Sequence, residues 1–388
     1  MFQKWIVKVL LSMALVSGPL MVLAKGCRIP SQAECFTTQF FQQIVKDKSG
    51  QNFVVSGDSL ASVLSMLEYG ATGVTQQELS KALCGASTLC QGEGLKDHPG
   101  YLAANAVWVQ HGLAIKPGYR ADIEKRFNGD IASVDFQKNK TQAVQKINAW
   151  AKKNTKGMID QIVKASDFNP MTAMVLANAL YFQGFWPTEF DTKKTEKREF
   201  TLLNGQKVNV PTMMKKDNYF LAKHNNIKML GLPYRDSNLE MVVLMPENPK
   251  KYSEFLKSLT TETIAALVTE QKKSELMLLM PKFSIASSYD DLKKNLQALG
   301  IKKVFEPNAE LNNINDKVPL FLSKVLQKAI IQVDEKGTKA AAVTAGIVLT
   351  RAVLEENFQI DRPFVFAIVD QQSHKIPFIG QVVNPLKN

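Results

Sequence analysis

Histidine, the side chain that most often serves as a general acid or base, is rare in this 388-residue chain. The chain contains no G-x-S-x-G, H-E-x-x-H, phosphate-binding loop or dinucleotide fingerprint. Neither the histidines nor the cysteines have the spacing of a structural zinc site. The sequence therefore predicts a protein that is not an enzyme and that holds no metal or cofactor. The four histidines are His98, His111, His224 and His374.

The first twenty-four residues have the pattern of a signal peptide. Lys4 and Lys8 form a basic start, Val9–Val16 an apolar middle, and Val22–Ala24 a cleavage site. The alternative is an uncleaved anchor, but Pro19 interrupts the apolar run before it reaches the roughly 20 residues that a spanning helix needs. The pattern therefore predicts an exported protein.

Residues 25–388, which remain after cleavage, are expected to be secreted or periplasmic and free of the membrane. Removal of residues 1–24 takes away two lysines and no acid, so the net charge falls from +12 to +10. No linker, charge block or repeat divides the remainder, which favours one large mixed domain. The lysines are scattered in pairs such as Lys152-Lys153 and Lys272-Lys273. A solvated surface is therefore favoured over a polyanion or nucleic-acid site.

The four cysteines all lie in the first quarter of the chain. In an exported protein they are expected to form disulfides, and four cysteines allow three pairings. Two short local bridges, Cys27–Cys35 and Cys84–Cys90, are the natural choice among the three. The alternative is four free thiols.

The segment Glu335–Arg351 is a long connection between two apolar stretches, Val325–Val333 and Phe364–Val369, that are predicted strands. If its first half became a strand, one face would carry only small uncharged side chains and the other face would carry a lysine. Such a pattern suits a loop that inserts conditionally into a sheet. The alternative is an Ala-rich helical turn over Ala340–Ala345. The small face is Thr338, Ala340, Ala342 and Thr344, and the other is Gly337, Lys339, Ala341 and Val343.

This segment resembles the reactive-centre loop of the serpins, whose hinge reads E-x-G-T-x-A-A-A-x-T. The resemblance implies a loop over about residues 335–358. Serpins usually have their scissile residue sixteen positions after the hinge glutamate, which here is Arg351, with Ala352 following. The hinge matches are Glu335, Gly337, Thr338, Ala340, Ala341, Ala342 and Thr344.

A second stretch, Val175–Trp186, resembles the serpin pattern L-V-N-A-x-Y-F-K-G-x-W. By resemblance Asn178 belongs to the "shutter", the polar group beneath the sheet that must part for insertion, with Ser56 and Ser59 as partners. Trp186 belongs to the "breach", where the hinge first enters. Serpins commonly have a histidine in the shutter, and this chain has Gln327 at that position. An amide both donates and accepts hydrogen bonds, so the network is expected to survive without a pH switch.

Further matches run to the end of the chain and extend the resemblance over nearly all of residues 25–388. They imply an α+β serpin fold with three β-sheets, eight or nine helices and an exposed reactive-centre loop, in a single domain and as a monomer. One departure is Gly57, where serpins usually have proline. Serpins that bind heparin often carry a helix with several Lys and Arg where this chain has Lys96 as the only Lys or Arg between Cys84 and Tyr101. Heparin binding is therefore possible but unsupported.

The resemblance implies an inhibitor of trypsin-like serine proteases that is cleaved at Arg351-Ala352 and then traps the protease by loop insertion. The alternatives are a non-inhibitory carrier or chaperone on the same fold, or an inhibitor of elastase-like or cysteine proteases. If the scissile residue is instead Thr350, one position earlier, the sequence favours an elastase-like target. Non-inhibitory serpins often have bulky, charged or proline residues in the hinge, and the small face of this hinge has none. Lys339 lies on the other face, where a solvated side chain costs little.

Overall fold

A computed structural model describes residues 32–84, 100–338, 357–373 and 375–387, with side chains from residue 36 onward. Within these ranges the chain forms eight α-helices and sixteen strands. The helices are α1 (Gln32–Asp47), α2 (Gly57–Gly70), α3 (Gly73–Ala82), α4 (Pro117–Phe127), α5 (Lys140–Asn154), α6 (Tyr252–Ser258), α7 (Thr261–Glu270) and α8 (Lys293–Ala298).

The strands alternate with the helices along the chain and form two hydrogen-bonded sets. They are β1 (Phe53–Val55), β2 (Tyr101–Gln110), β3 (Asp130–Val134), β4 (Met174–Phe182), β5 (Gly184–Phe185), β6 (Glu196–Thr201), β7 (Lys207–His224), β8 (Ile227–Pro233), β9 (Leu239–Pro246), β10 (Lys272–Pro281), β11 (Phe283–Tyr289), β12 (Lys324–Asp334), β13 (Gly337–Thr338), β14 (Asn357–Gln359), β15 (Phe364–Asp370) and β16 (Phe378–Val382).

The smaller set is the main sheet, with strand order β3-β2-β4-β12-β13-β5 and β11 paired to β12. The larger set has the order β1-β16-β15-β9-β8-β7-β10-β14, with β6 paired to β7. The 18-residue β7 joins two sheets within it, because its first part pairs with β6 and its last part with β8. The architecture confirms the α+β class and agrees with the three-sheet arrangement that the sequence predicted.

Strands β4 and β12 lie side by side and parallel at the centre of the main sheet. All nine residues of β4 are buried, because α5 covers one face of the sheet and the rest of the domain covers the other. Helix α5 packs on this sheet through Ala143, Ile147 and Ala151. A parallel pair that is buried on both faces reads as a continuous apolar run, and β4 is interrupted by one polar residue, Asn178.

Within the described ranges, no helix is both long and apolar enough to span a membrane. The same ranges hold no cluster of three or more His, Cys, Asp or Glu side chains arranged to bind a metal ion.

Candidate functional site: the hinge and the shutter

The first residues of the hinge already lie in the main sheet. After β12 the chain turns at Glu335 and Lys336, and Gly337-Thr338 then run back as β13 between β12 and β5, antiparallel to both. Gly337 is opposite Asp334 on one side and Phe185 on the other. We call residues 334–338 the hinge hairpin. The chain therefore begins a new strand at the upper end of the β4–β12 pair.

Two residues of the hinge hairpin fit only because they are small. Gly337 has φ +152, and a Cβ there would overlap the carbonyl oxygen of Gly184, so glycine is required. Thr338 is fully buried, and its hydroxyl lies 2.7 Å from the hydroxyl of Tyr234. Burial raises the pKa of Tyr234, so its phenol stays protonated and can donate to Thr338 at ordinary pH.

Glu335 anchors the turn of the hinge hairpin by charge. Its carboxylate accepts hydrogen bonds from Lys282 Nζ at 2.8 and 3.0 Å and from the Thr195 hydroxyl at 2.7 Å. Burial alone would raise the pKa of this carboxyl, but the bonds from Lys282 and Thr195 outweigh burial and hold the pKa below its ordinary value. Glu335 is therefore ionised and paired, although its side chain is only 7% exposed.

Trp186 and Phe190 hold the backbone of the same turn. The indole N–H of Trp186 donates to the Asp334 carbonyl at 3.0 Å, and the Trp186 backbone N–H donates to the Lys336 carbonyl at 3.0 Å. The Phe190 backbone N–H donates to the Glu335 carbonyl at 2.8 Å. The Trp186 ring also stacks on Tyr234, with centroids 5.0 Å apart. Trp186 therefore lies against the hinge hairpin. That it forms the breach, as the resemblance implies, stays a prediction.

The shutter lies lower in the sheet, as a row of amides across three neighbouring strands. Asn105 of β2 is opposite Asn178 of β4, and Asn178 is opposite Gln327 of β12. Asn178 Nδ2 donates to Asn105 Oδ1 at 2.6 Å, and Gln327 Nε2 donates to Asn178 Oδ1 at 2.7 Å. The last of these bonds crosses the β4–β12 boundary, so it must break if the two strands separate.

The start of α2 supports this row from behind. Ser56 caps the helix, and its hydroxyl accepts a hydrogen bond from the Ser59 N–H at 3.1 Å. Gln327 bonds both backbone groups of Ser56, donating to the carbonyl at 2.9 Å and accepting from the N–H at 3.2 Å. Asn178 Nδ2 also donates to the Ser59 hydroxyl at 2.6 Å. Ser56, Asn178 and Gln327 are fully buried, and the amide of Gln327 makes the bonds that a buried polar group requires.

Gly57, the departure from the serpin pattern, has a local reason. A side chain on Gly57 would lie 2.5 Å from the Cα of Thr37 in α1, which is rigid backbone. The two helices therefore approach each other closely at the shutter, and glycine permits that approach.

Four residues of the site were missed by the sequence prediction. Asn105 is one polar residue in an alternating strand, and Tyr234, Thr195 and Lys282 come from elements far from the hinge in the sequence. Only Asn105 gave a signal, since a lone amide in an apolar strand needs a partner.

Several predicted residues lie outside the described ranges or have no described side chain. These include the proposed cleaved bond Arg351-Ala352, the signal peptide (residues 1–24), and Cys27, Cys35 and Cys90. Cys84 is disulfide-bonded, and the described ranges contain no free cysteine. The partner of Cys84 is not among the described side chains, so the predicted pairing stays a prediction. The hinge residues beyond the described ranges are Ala340, Ala341, Ala342 and Thr344.

A sheet with a new strand begun at one end and a polar shutter below it is the arrangement of a serpin. The sequence profile of the family described as "Serpin (serine protease inhibitor)" matches residues 31–385, so the chain belongs to the serpin family.

Relatives of the chain include protease inhibitors. It is 34% identical to glia-derived nexin of Rattus norvegicus, over 89% of this chain and 91% of the nexin. It is 30% identical to leukocyte elastase inhibitor of Sus scrofa, over 90% and 97% of the two chains.

Among solved structures, native protease nexin-1 with heparin matches with a TM-score of 0.82 and 29% identity, covering 92% of this chain and 98% of the nexin. The complex of thyroxine-binding globulin with thyroxine also matches with a TM-score of 0.82, at 26% identity and 92% and 99% coverage. The relatives therefore include protease inhibitors and a thyroxine-binding protein.

Replacement of Gln327 by leucine tests the shutter. The change leaves the Ser56 N–H and the Asn178 Oδ1 without their Gln327 bonds in a buried place, at a cost of about 1–3 kcal/mol each. The Ser56 carbonyl keeps the hydrogen bond from the Leu60 N–H. We expect Gln327→Leu to lower the free energy of unfolding by about 2–5 kcal/mol in urea titrations of the intact protein. Lys328→Met is the control, because the Lys328 ammonium bonds the Gln161 carbonyl at an exposed position. Equal urea midpoints for Gln327→Leu and the wild type would contradict the role of this row.

Proposed function

We propose that this serpin inhibits trypsin-like serine proteases by inserting its reactive-centre loop into the main sheet after cleavage at Arg351-Ala352. The observation that carries the proposal is β13, in which Gly337 and Thr338 already occupy the position of a new strand between β12 and β5. The residues that follow them in the sequence are small on the face that Thr338 buries. An inhibitor needs this combination, and a carrier does not.

The register of β13 defines where the rest of the hinge goes if insertion continues. Each further loop residue pairs one position back along β12 and one back along β4. Ala340 then lies between Ile331 and Phe182, and its small side chain shares the face of the buried Ile331. Thr344 arrives between Gln327 and Asn178. Its hydroxyl can both donate and accept, so it can replace the Gln327–Asn178 bond that insertion breaks.

The chemistry begins as ordinary serine-protease cleavage. The protease serine attacks the carbonyl carbon of Arg351, the bond to the Ala352 nitrogen breaks, and the amine leaves with a proton from the protease histidine. The result is an ester between the serine and Arg351. Residues 336–350 then insert; at roughly 3.3 Å per residue they span about 50 Å and carry the attached protease to the far end of the sheet. Distortion of the protease there prevents hydrolysis of the ester. An arginine at the cleaved bond suits an acidic specificity pocket.

The second candidate function is a carrier, and the likeness to thyroxine-binding globulin favours it. That likeness extends over the whole fold, so fold similarity alone does not separate the two functions.

Elastase-like or cysteine proteases are further alternatives as targets, since the pig relative is named an elastase inhibitor. The nexin structure contains heparin, but heparin binding is not part of the proposal for this chain, because Lys96 is the only Lys or Arg between Cys84 and Tyr101. We propose that the inhibitor acts as a monomer.

A covalent complex with trypsin tests the proposal directly. Incubation should give a band near the summed masses on denaturing gels, because the ester survives detergent and boiling. Arg351→Ala should abolish the band, since the trypsin pocket requires a basic residue, while the melting temperature stays unchanged. If the wild type is only cleaved, or is not cleaved at all, inhibition of trypsin-like proteases is wrong. A complex with elastase and none with trypsin would move the proposal to the elastase alternative.

Thr338→Arg tests insertion separately from recognition. The substitution forces a charged side chain beside Tyr234 inside the sheet, where an unpaired charge is expensive to bury. Because Thr338 is already buried in β13 of the resting protein, the charge should expel β13 from the sheet. Insertion continues from β13, so it should slow, hydrolysis should win, and more inhibitor molecules should be consumed for each trypsin molecule inhibited. Lys336→Arg is the matched control, because this exposed turn residue keeps its charge. An unchanged stoichiometry for Thr338→Arg would mean that this face is not buried during inhibition.

We propose further that residues 1–24 direct export and are removed, and that the mature chain carries the bridges Cys27–Cys35 and Cys84–Cys90. The bonded state of Cys84 supports the second bridge without naming its partner. Mass analysis of unreduced peptides from the exported protein should find both pairs and an amino terminus at Lys25. Either of the other two pairings, or free thiols at Cys27 and Cys35, would contradict the local bridges.

A further inference from the structure

A cavity of about 380 Å³ lies beside the breach and is separate from the shutter. Its walls come from β7, β8, β10 and the segment that follows β5. The apolar part of the lining includes four aromatic residues. Three of them are almost fully buried and therefore fixed in place, namely Trp186, Phe190 and Tyr219; the fourth is Phe220. The volume is at the lower end of the roughly 300–1,000 Å³ that small-molecule pockets occupy.

Two lysines and one acid supply the charged groups of the lining. Lys215 Nζ donates to the Thr188 carbonyl at 2.8 Å and pairs with Asp217 at 2.5 Å, and it lies over the Phe190 ring at 5.8 Å. An ammonium has three protons, so the two polar contacts leave one proton of Lys215 for a further acceptor. The Lys215 side chain is only 17% exposed, which strengthens its interaction with any anion placed there.

The single negative charge of Asp217 does not neutralise the charges of both lysines in the lining. Burial would raise the pKa of its carboxyl, but the hydrogen bonds from Lys215 and the Asn218 backbone N–H, together with the charges of Lys215 and Lys273, outweigh burial and lower the pKa. Asp217 is therefore ionised, and with both lysines charged the lining carries a net charge of about +1. An aromatic cleft with a surplus positive charge at its edge favours anions over cations.

We propose that this cavity binds a small amphipathic organic anion, namely an aromatic carboxylate or sulfonate. The aromatic body packs among Trp186, Tyr219 and Phe220, and the anionic group takes the remaining proton of Lys215 and the charge of Lys273. Trp186 gives the site a second property, because the same ring stacks on Tyr234 and bonds the hinge hairpin. An occupant of the cavity therefore restrains a residue that holds the hinge.

The test uses 1-anilinonaphthalene-8-sulfonate and its uncharged counterpart N-phenyl-1-naphthylamine, both followed by fluorescence on the intact protein. The sulfonate should bind more tightly than the amine. Lys273→Gln should weaken sulfonate binding roughly two- to fivefold, as expected for an exposed charge. Lys215→Met should weaken it about tenfold, because this lysine is more buried and donates directly. Neither substitution should change binding of the uncharged amine.

Matched variants locate the site. Lys272→Gln removes a neighbouring exposed lysine that does not line the cavity, and it should leave sulfonate binding unchanged. Asn218→Trp places a bulky side chain at an exposed position of the lining and should block both probes. Melting curves confirm that each variant is folded, and the sulfonate should raise the melting temperature of the wild type but not of Asn218→Trp. Equal binding of the two probes, or sulfonate binding that Lys273→Gln, Lys215→Met and Asn218→Trp all leave unchanged, would overturn the proposal.

Discussion

The direct pairing of β4 with β12 is the interaction on which the rest of the structure depends. Seven residues of β12 are in register with seven of β4, and every residue of β4 is buried. A further strand can enter only if this ladder is exchanged for two new ones. The side-chain hydrogen bond from Gln327 to Asn178 also holds the two strands together. In the resting protein, backbone hydrogen bonds and one buried amide contact therefore hold β4 against β12. An inserted strand could replace all of them.

The hinge hairpin shows what the sequence could predict from local pattern. The alternation of small residues identified the face on which Thr338 is buried, because strand geometry repeats every two residues. The shutter could be predicted only from family resemblance, since Asn178 and Gln327 are 149 residues apart and no periodicity connects them. Tyr234 and Lys282 lie in stretches that resemble the family, but nothing in the sequence indicated that they contact the hinge, because each is a single residue brought there by the folding of a distant strand.

A protease inhibitor and a carrier place different structural requirements on the hinge and the sheet. A carrier needs a stable cavity, whereas an inhibitor needs a sheet that opens and a strand that fits. Gly337, where any side chain would overlap Gly184, and Thr338, which is fully enclosed, meet the second requirement. The Glu335–Lys282 pair fixes the turn from which such a strand must start. A carrier's requirement for a stable cavity is met by the aromatic cavity beside Trp186, and Trp186 also bonds the hinge hairpin.

The two residues of β13 also bear on the speed of any insertion. Starting a new strand is normally the slow step, because loop ends must be brought together before any ladder bond forms. Here the turn is closed and the first pairs exist on both sides, so nucleation is complete in the resting state. Every later residue adds to an existing end, as in the propagation of a helix. If the loop inserts as proposed, the slow step is then the parting of β4 from β12, and the Gln327–Asn178 bond contributes to its barrier.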